Sequence, residues 1–406
     1  MKRVTFLVPT YNRAGFLPQA LDAIGAQLGR DDEVLVIDDG STDATREVVS
    51  GRDPRVGYVY QENSGKSAAL NLGLRLTSGA HVMICDDDDV LRPGAVDALF
   101  NTMERTDAGC AFGRYSRFRE DAHGRRTDLG TGYWPDLAEG SILRHLLEDA
   151  FVMHNAALVR RAAYDAVGPF DESMLRSLDY DMFVRLALAV PMVFVDRLMF
   201  DQRKHDGVRG PGRALHSAAT SEAVWQVYDR QIFLRLRDQV PLEAYERLFD
   251  GENHDQVRRA ALLQRACVQA RHGLWDLAVS DLDAAARQAP ELPFLPLQAA
   301  ISARMLNGKH GFADALHPDV LDRLKRLARE PGVGRAIIRA MLAGGLWRLR
   351  PPVPADAGEM RHLSSALVGS RTTLALLARR KLGGSVAPSR MAGLVERREP
   401  LASALG

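Results

Sequence analysis

The first half of the chain alternates short apolar runs with amphipathic stretches, and polar residues gather where each apolar run stops. Residues 4–9 are apolar or β-branched and run into Pro9-Thr10-Tyr11-Asn12-Arg13, the pattern of a buried strand opening into a loop. Residues 16–28 then place apolar side chains at helical spacing. Further strands are expected at 33–37, 56–60 and 81–85, with helices at 42–49 and 67–77 between them. Strands alternating with helices of this length imply right-handed crossovers and a mostly parallel sheet flanked by helices. The pattern continues less regularly, with strands expected at 109–119, 155–160 and 192–196 and helices at 141–148 and 180–189. Residues 206–213, which hold Gly207, Gly210, Pro211 and Gly212, are expected to form a flexible loop.

After about residue 216 the chain is rich in Ala, Leu and Arg at helical spacing, with almost no strand signal. The expected fold class is therefore α/β over 1–215, followed by a mainly α-helical C-terminal domain over 216–406. Within 260–290, Gly273, Trp275, Ala278, Ala284 and Ala285 have the spacing of half a tetratricopeptide-type hairpin. Ala-rich helices produce such spacings by chance, so an ordinary helical appendage is the plainer expectation. Pro351-Pro352-Val353-Pro354 interrupts the helices, and the tail at 385–406 is expected to fray.

A chain of 406 residues is too long for one ordinary core, and 46% hydrophobic with 26% charged residues is an ordinary globular balance. The formal net charge of +1 supplies no global field for nucleic acid or an anionic membrane, so any phosphate chemistry must be local. Cys85, Cys110 and Cys267 are scattered, without the close pairs of a zinc site or disulfide framework. Pro9, Asn12 and Arg13 break the first apolar stretch too early for a signal peptide, and no run approaches the ~18 to 20 apolar residues of a membrane span. A cytoplasmic protein without a nucleic-acid partner is the expectation. Arg-rich helices between Arg323 and Arg350, ending near Leu346 and Trp347, suggest peripheral membrane contact or, more plainly, a solvated packing face.

Ligands of sheets like this bind beyond the carboxyl ends of the strands, where the polar clusters lie. Asp38 and Asp39 close the second strand, and Ser41 or Thr42 is expected to cap the helix that follows. The cap leaves two acids at a strand end, where a carboxylate can accept from a base N–H or a ribose hydroxyl. Asn63-Ser64-Gly65-Lys66 offers a glycine for close backbone approach and a lysine for a phosphate or base oxygen. Asp86, Asp87, Asp88 and Asp89 follow the strand at 81–85 directly. Carboxylates this close repel one another, so keeping them ionised requires a metal, basic partners or bulk water. A solvated acidic turn is the competing reading.

In chain order, Pro9-Thr10-Tyr11-Asn12-Arg13, Val36-Ile37-Asp38-Asp39-Gly40-Ser41-Thr42-Asp43, Asn63-Ser64-Gly65-Lys66 with Asn71 and Gly73, and Asp86 to Asp89 resemble the successive motifs of family 2 glycosyltransferases. The resemblance continues through Asn155-Ala156-Ala157-Leu158-Val159-Arg160-Arg161, Gly168-Pro169-Phe170-Asp171-Glu172, Leu178-Asp179-Tyr180-Asp181 and Arg203-Lys204-His205, and covers about the first half of the chain. It implies the GT-A fold, a nucleotide-sugar donor with a UDP-sugar as first expectation, inversion at the anomeric carbon, and Mg²⁺ or Mn²⁺ as cofactor. Carried onto this chain, it puts Pro9, Tyr11, Asp39 and Lys66 around the nucleobase and ribose, with Asp38 beside them. Asp86 and Asp88 become the ends of the Asp-x-Asp motif, Asp88 the metal ligand with Asp89 in support, while Asp87 either faces the donor or only water. His205 would complete the metal or diphosphate site, and Arg203 would meet the leaving diphosphate.

Asp179 is the implied base, and it is also placed to cap the helix expected from residue 180. Where family members often carry Glu before this Asp the chain has Leu178, with Asp181 a possible substitute. The implied acceptor is a glycan or lipid-linked hydroxyl, in the synthesis of bacterial surface polysaccharide or glycoconjugate. The alternative is a nucleotide-sugar or glycan-binding scaffold that has lost turnover, its helical half recruiting partners. A nicotinamide oxidoreductase is disfavoured, because the first strand ends without a Gly-x-Gly-x-x-Gly turn.

Overall fold

The computed structural model describes residues 2–205, 221–382 and 393–397. Their contacts divide the chain into two compact units, Met1–Leu146 with Ala150–Tyr228, and Leu147–Asp149 with Asp229–Arg398. The boundary expected at 215/216 and the loop expected at 206–213 lie outside the described residues.

The first unit is built on β1 (Lys2–Thr10), β2 (Glu33–Asp38), β3 (Val56–Tyr60) and β4 (Gly79–Ile84), with α1 (Leu17–Gly25), α2 (Thr45–Val49) and α3 (Lys66–Leu76) as crossovers. The order β3-β2-β1-β4 is parallel throughout, as the alternation predicts. Every residue from Val4 to Thr10 is buried, which is why β1 reads as a nearly continuous apolar run: a strand at the sheet centre is covered on both faces. Gly73 lets α3 lie directly on the sheet, since a Cβ there would meet Leu7 Cδ1 at 2.2 Å.

Beyond β4 the sheet becomes mixed. β5 (Val90–Leu91), β6 (Cys110–Glu120), β7 (Arg126–Thr131), β8 (Ala157–Arg160) and β9 (Met192–Arg203) extend it in the order β4-β8-β6-β9-β5, with β7 on β6. β8 runs antiparallel to both of its neighbours, and β9 runs parallel to β6. The expected strand at 192–196 in fact continues to Arg203, because an irregularity steps the register from Val195 to Leu198 and takes Asp196 and Arg197 out of the ladder. The extension matters. It pairs Phe200 and Asp201 with β5, just after the acidic run, and so delivers Arg203 and His205 beside it. Helices α4 (Ala95–Thr106), α5 (Ile142–Glu148), α6 (Arg161–Val167) and α7 (Leu178–Ala189) complete the crossovers.

The second unit is mainly helical, with α8 (Ser221–Gln239) crossing into it, then α9 (Leu242–Glu246), β10 (Phe249–Gly251), α10 (His254–Arg271), α11 (Trp275–Arg287), α12 (Pro296–Arg304), α13 (Pro318–Arg329), α14 (Val333–Gly345) and α15 (Ala357–Leu382). Asn253 caps α10 by accepting from the Gln256 amide at 3.0 Å. α10 and α11 pack as a helical hairpin, but α12 packs on α14 and α10, with α13 intervening in sequence. Part of the tail expected to fray is ordered: β11 (Leu394–Glu396) pairs antiparallel with β10.

Of the positions read as membrane-facing, Leu346 is fully buried. Arg323 pairs with Asp283 at 2.6 Å and Arg348 with Asp356 at 2.6 Å, which leaves Trp347, Arg326, Arg329 and Arg339 exposed. Among the described residues no helix is long and apolar enough to cross a membrane.

Candidate active site

The parallel register aligns Thr10, Asp38 and Tyr60 in one row, so the loops after β1, β2 and β3 leave the sheet side by side. Asn12 stitches the first two together. It adopts the left-handed conformation (φ 52°) that Asn tolerates, donates its N–H to Ser41 Oγ at 2.8 Å, and accepts from the Thr42 amide at 2.7 Å. Ser41 and Thr42 therefore do not cap α2 as expected. The N-cap position is Ala44, without a side-chain cap; Asp43, just before it, accepts from the Thr45 amide at 3.0 Å and the Ala14 amide at 3.0 Å. Pro9 is buried in β1, whereas Tyr11 is exposed at its mouth.

The two acids at the end of β2 are both turned into the fold. Asp38 accepts from the Ser41 amide at 2.8 Å and from the Tyr58 hydroxyl at 2.6 Å, and its side chain closes the turn instead of lining an open surface. Asp39 shapes the next loop: its carboxylate accepts from Gln61 Nε2 at 2.6 Å and from the Ser64 and Gly65 amides, each at 2.9 Å. Gly40 has a φ of +88°, and a Cβ there would lie 2.7 Å from the Asn63 nitrogen. Only glycine lets the loops of β2 and β3 approach this closely.

α3 then starts at Lys66, whose Nζ lies 2.5 Å from Asp86 Oδ1. Burial opposes the ammonium, but the charges of Asp86, Asp179 and Asp87 outweigh it and raise its pKa. Asn71, one turn further along α3, holds the loop before α7: it accepts from the Phe170 amide at 2.8 Å and donates to Phe170 O at 3.0 Å and Glu172 Oε1 at 2.9 Å. That anchor carries Asp179 to the same mouth.

Asp179 lies in the first turn of α7 and accepts from the Tyr180 amide at 2.9 Å. Burial raises its pKa, the Lys66 charge pulls it back down, and Asp86 pushes it up again, so Asp179 lies within electrostatic reach of that ion pair. Tyr115, buried and stacked on Phe200 at 5.4 Å, lies in the field of Asp179 and Asp89. Asp181 does not replace the missing glutamate. It is 1% exposed and pairs with Arg185 at 2.8 Å, and Arg185 in turn donates to the Val167, Gly168 and Pro169 carbonyls.

The four aspartates divide by environment. Asp86 faces Lys66, and Asp88 Oδ2 lies 3.0 Å from His205 Nε2, whose ring stacks on Phe16. Burial and then the charge of Asp88 push the Asp87 carboxyl up, against the pull of Thr10 and Arg13. Asp89 is buried with both oxygens engaged: Oδ1 accepts from the Arg203 amide at 2.8 Å and Oδ2 from Asn155 Nδ2 at 2.7 Å. A solvated acidic turn is thereby ruled out for Asp87 and Asp89.

Arg203 corrects its expected place. The side chain is 5% exposed and lies between Phe16 and Phe118. Its guanidinium donates to the Asp88 carbonyl at 3.0 Å, to Glu120 Oε2 at 2.9 Å and to Gln19 Oε1. Its donors are thus turned to the backbone of the acidic run and to Glu120 and Gln19. Asn12, Asn71 and Asn155 carry much of this architecture, although pattern reasoning gave none of them a role; their signal was a polar residue beside an apolar run without a charge to explain it.

Residues 5–168 match the family model described as glycosyl transferase family 2. The segment is a family 2 glycosyltransferase domain. Chondroitin synthase of Escherichia coli is 28% identical to the chain over 206 residues, 50% of this chain and 29% of that protein. The glycosyltransferase GlyA of Streptococcus pneumoniae is 34% identical over 152 residues, 37% of this chain and 19% of that protein. The chain thus matches less than a third of the length of either relative. The S. aureus TarS 1–349 structure in complex with UDP-GlcNAc superposes with a TM-score of 0.50 at 16% identity, covering 87% of this chain and 93% of that one, a likeness of fold. The family 2 domain has the GT-A arrangement, with a helical C-terminal region after it.

Among the described residues no group of three or more His, Cys, Asp or Glu side chains is arranged to hold an ion alone. Asp88 and His205 are an oxygen and nitrogen donor pair converging at 3.0 Å. Two protein donors suit Mg²⁺ or Mn²⁺ when substrate phosphates and water complete the shell. A separate cleft of about 760 Å³, lined by Arg3, Gly29, Arg30 and Asp97, lies at the other end of β1 and shares none of these residues.

Proposed function

We propose that the chain is an inverting glycosyltransferase that moves a sugar from a nucleotide-sugar donor to a hydroxyl of a glycan or lipid-linked acceptor. The observation that carries this reading is the Lys66–Asp86 pair, 2.5 Å apart at the strand ends of a family 2 domain, with Asp179 at the start of α7 within its electrostatic reach. Pro9 and Tyr11 would border the nucleoside, in a pocket whose walls Asp38 and Asp39 shape from behind. Lys66, already drawn to Asp86, would meet the phosphate end of the donor.

In the proposed reaction Asp179 takes the proton of the acceptor hydroxyl as that oxygen attacks the anomeric carbon from the face opposite the nucleotide. Its hydrogen bond from Tyr180 and its place on a helix start fix the direction of the carboxylate. Asp88 and His205 would hold Mg²⁺ or Mn²⁺, which when bound supplies positive charge to the departing diphosphate. Arg203 acts from below, holding Asp88 and Asp89 in place. The product would belong to a surface polysaccharide or another glycoconjugate.

Wild-type protein titrated with UDP-, GDP- and dTDP-sugars, with Mn²⁺ or with EDTA, tests the reading by thermal shift and donor hydrolysis. UDP-N-acetylglucosamine is the first donor to try. A Mn²⁺-dependent shift with turnover is expected for one nucleotide. A shift without turnover on any acceptor would favour a binding scaffold, and no shift with any donor would overturn the transferase reading.

A further inference from the structure

Asn155 lies in the short 3₁₀ turn His154–Ala156 that leads into β8, and it is 3% exposed. Both ends of its amide are used on the acidic run: Oδ1 accepts from the Asp86 amide at 2.7 Å, and Nδ2 donates to Asp89 Oδ2 at 2.7 Å. One planar group therefore spans the first and last of the four aspartates. The other oxygen of Asp89 accepts from the Arg203 amide, so the far end of the run is fastened from two sides. The turn that carries Asn155 is itself wedged in place. His154 packs edge-on to Phe170 at 5.5 Å and against Phe183 at 5.4 Å, and neither ring nitrogen of this buried residue has a hydrogen-bond partner. The space lined by Cys85, Asp86, Asp89 and Asn155, among others, is about 10 Å³, room for one water at most.

We propose that Asn155 is a positioning residue for the donor site: it holds the loop 86–89 in the shape that points Asp86 and Asp88 at the nucleotide diphosphate and its metal. The proposal rests on the transferase reading. Four adjacent carboxylates repel one another, and an untethered loop relieves that repulsion by spreading. Asn155 and the Arg203 backbone prevent the spreading by giving Asp89 two donors on the side away from the ligand. Loss of the amide leaves Asp89 held by the Arg203 amide alone and the Asp86 N–H unsatisfied, and both changes let Asp88 turn away from His205.

Asn155→Leu, of similar volume without polar atoms, and Asn155→Ser, which can restore one of the two bonds, test this in full-length protein. In the first arm, without any ligand, hydrogen exchange of peptides covering 84–91 should be at least ~10-fold faster in Asn155→Leu, with Asn155→Ser intermediate. In the second arm, UDP-sugar turnover titrated with Mn²⁺ should show donor KM and Mn²⁺ half-saturation raised by about 10- to 100-fold, the range for residues that orient metal ligands, with a smaller change in kcat. A merely structural residue would lower the melting temperature and the yield of active protein while leaving KM and the Mn²⁺ requirement alone. Unchanged exchange, or faster exchange with wild-type KM and Mn²⁺ dependence, overturns the proposal. If Asn155→Leu does not fold, Asn155→Ser alone decides on the same readouts. Wild-type protein that neither binds nor turns over a nucleotide sugar fails the transferase reading, and with it the donor role of Asn155; the ligand-free first arm tells that outcome apart from a loop that is not tethered.

Discussion

Lys66 Nζ lies 2.5 Å from Asp86 Oδ1 and its charge also holds down the Asp179 carboxyl, so the first residue of α3 links the phosphate end of the proposed site to its proposed base. The side chain of Lys66 is 40% exposed, and an ion pair at such a site contributes only about 0–1 kcal/mol to folding. Lys66→Met should therefore leave the melting temperature within a few degrees of wild type and raise donor KM. It should also move the acid limb of the pH–rate profile upward, because Asp179 loses the cation that lowers its pKa. A profile that does not move would break the link between the two groups.

Asp179→Asn should reduce kcat by about 10²- to 10⁴-fold if the carboxylate is the general base. Burial raises the Asp179 pKa above that of an ordinary aspartate. Wild-type activity should thus fall with decreasing pH at a higher pH than a solvated carboxylate would give, and the residual activity of Asp179→Asn should lack that limb. The sign for stability is opposite. A raised carboxyl pKa means that the folded state releases its proton at higher pH than the unfolded chain, so ionisation costs stability as pH rises through that interval. At pH 7 Asp179→Asn should melt no lower than wild type; a clearly lower melting temperature would assign the residue to structure instead.

Arg203→Met should destabilise the first unit by about 1–3 kcal/mol, read from denaturant midpoints, because it leaves the Asp88 carbonyl without its buried donor and Glu120 with only Arg126. Arg203→Lys should not restore stability, since one ammonium cannot serve Glu120, Gln19 and the Asp88 carbonyl at once. If Arg203→Met keeps wild-type stability and loses only donor affinity, the residue contacts diphosphate after all.

The helical unit carries a pH-sensitive residue of its own. Burial lowers the pKa of His272 to about 3, against the opposing effects of Asp229 and the Val268 carbonyl, and its ring stacks on Phe233. The folded state excludes a proton that the unfolded chain takes up near pH 6.5, so this contribution is present above that pH and lost as pH falls toward 3. His272→Phe removes the titration. Measured against that variant, wild type should lose about 2–3 kcal/mol between pH 7 and pH 4.5, at about 1.4 kcal/mol per pH unit. Parallel pH curves for the two proteins would refute a buried neutral His272.

Periodicity and turn chemistry predict the strands of the first unit closely up to β4, and the parallel order follows from them, because each crossover is local in sequence. They miss β5, β7 and the far half of β9. β5 has two residues, β7 is exposed throughout, and β9 carries Asp196 and Arg197 out of its ladder, so none of the three shows a clean period. The site divides in the same way. Lys66, Asp86 and Asp88 were readable as candidates from residue type at strand ends, and Asp179 and His205 through the resemblance to the family's motifs. The buried roles of Asp38, Asp89 and Arg203 were not, since a charged residue in a loop carries no mark of which way it faces.

That an α/β half with acids at its strand ends precedes a helical half is legible along the chain, because the apolar period and the residues that end each run are local properties. Which acids face the proposed ligand depends on the packed fold. Asp86 meets Lys66 from the next crossover, Asp88 meets His205 from the end of β9, and Asp89 is held by Asn155 and Arg203. Partners so distant in the chain determine whether a carboxylate is desolvated, paired or turned outward, and no pattern within the run Asp86 to Asp89 contains them.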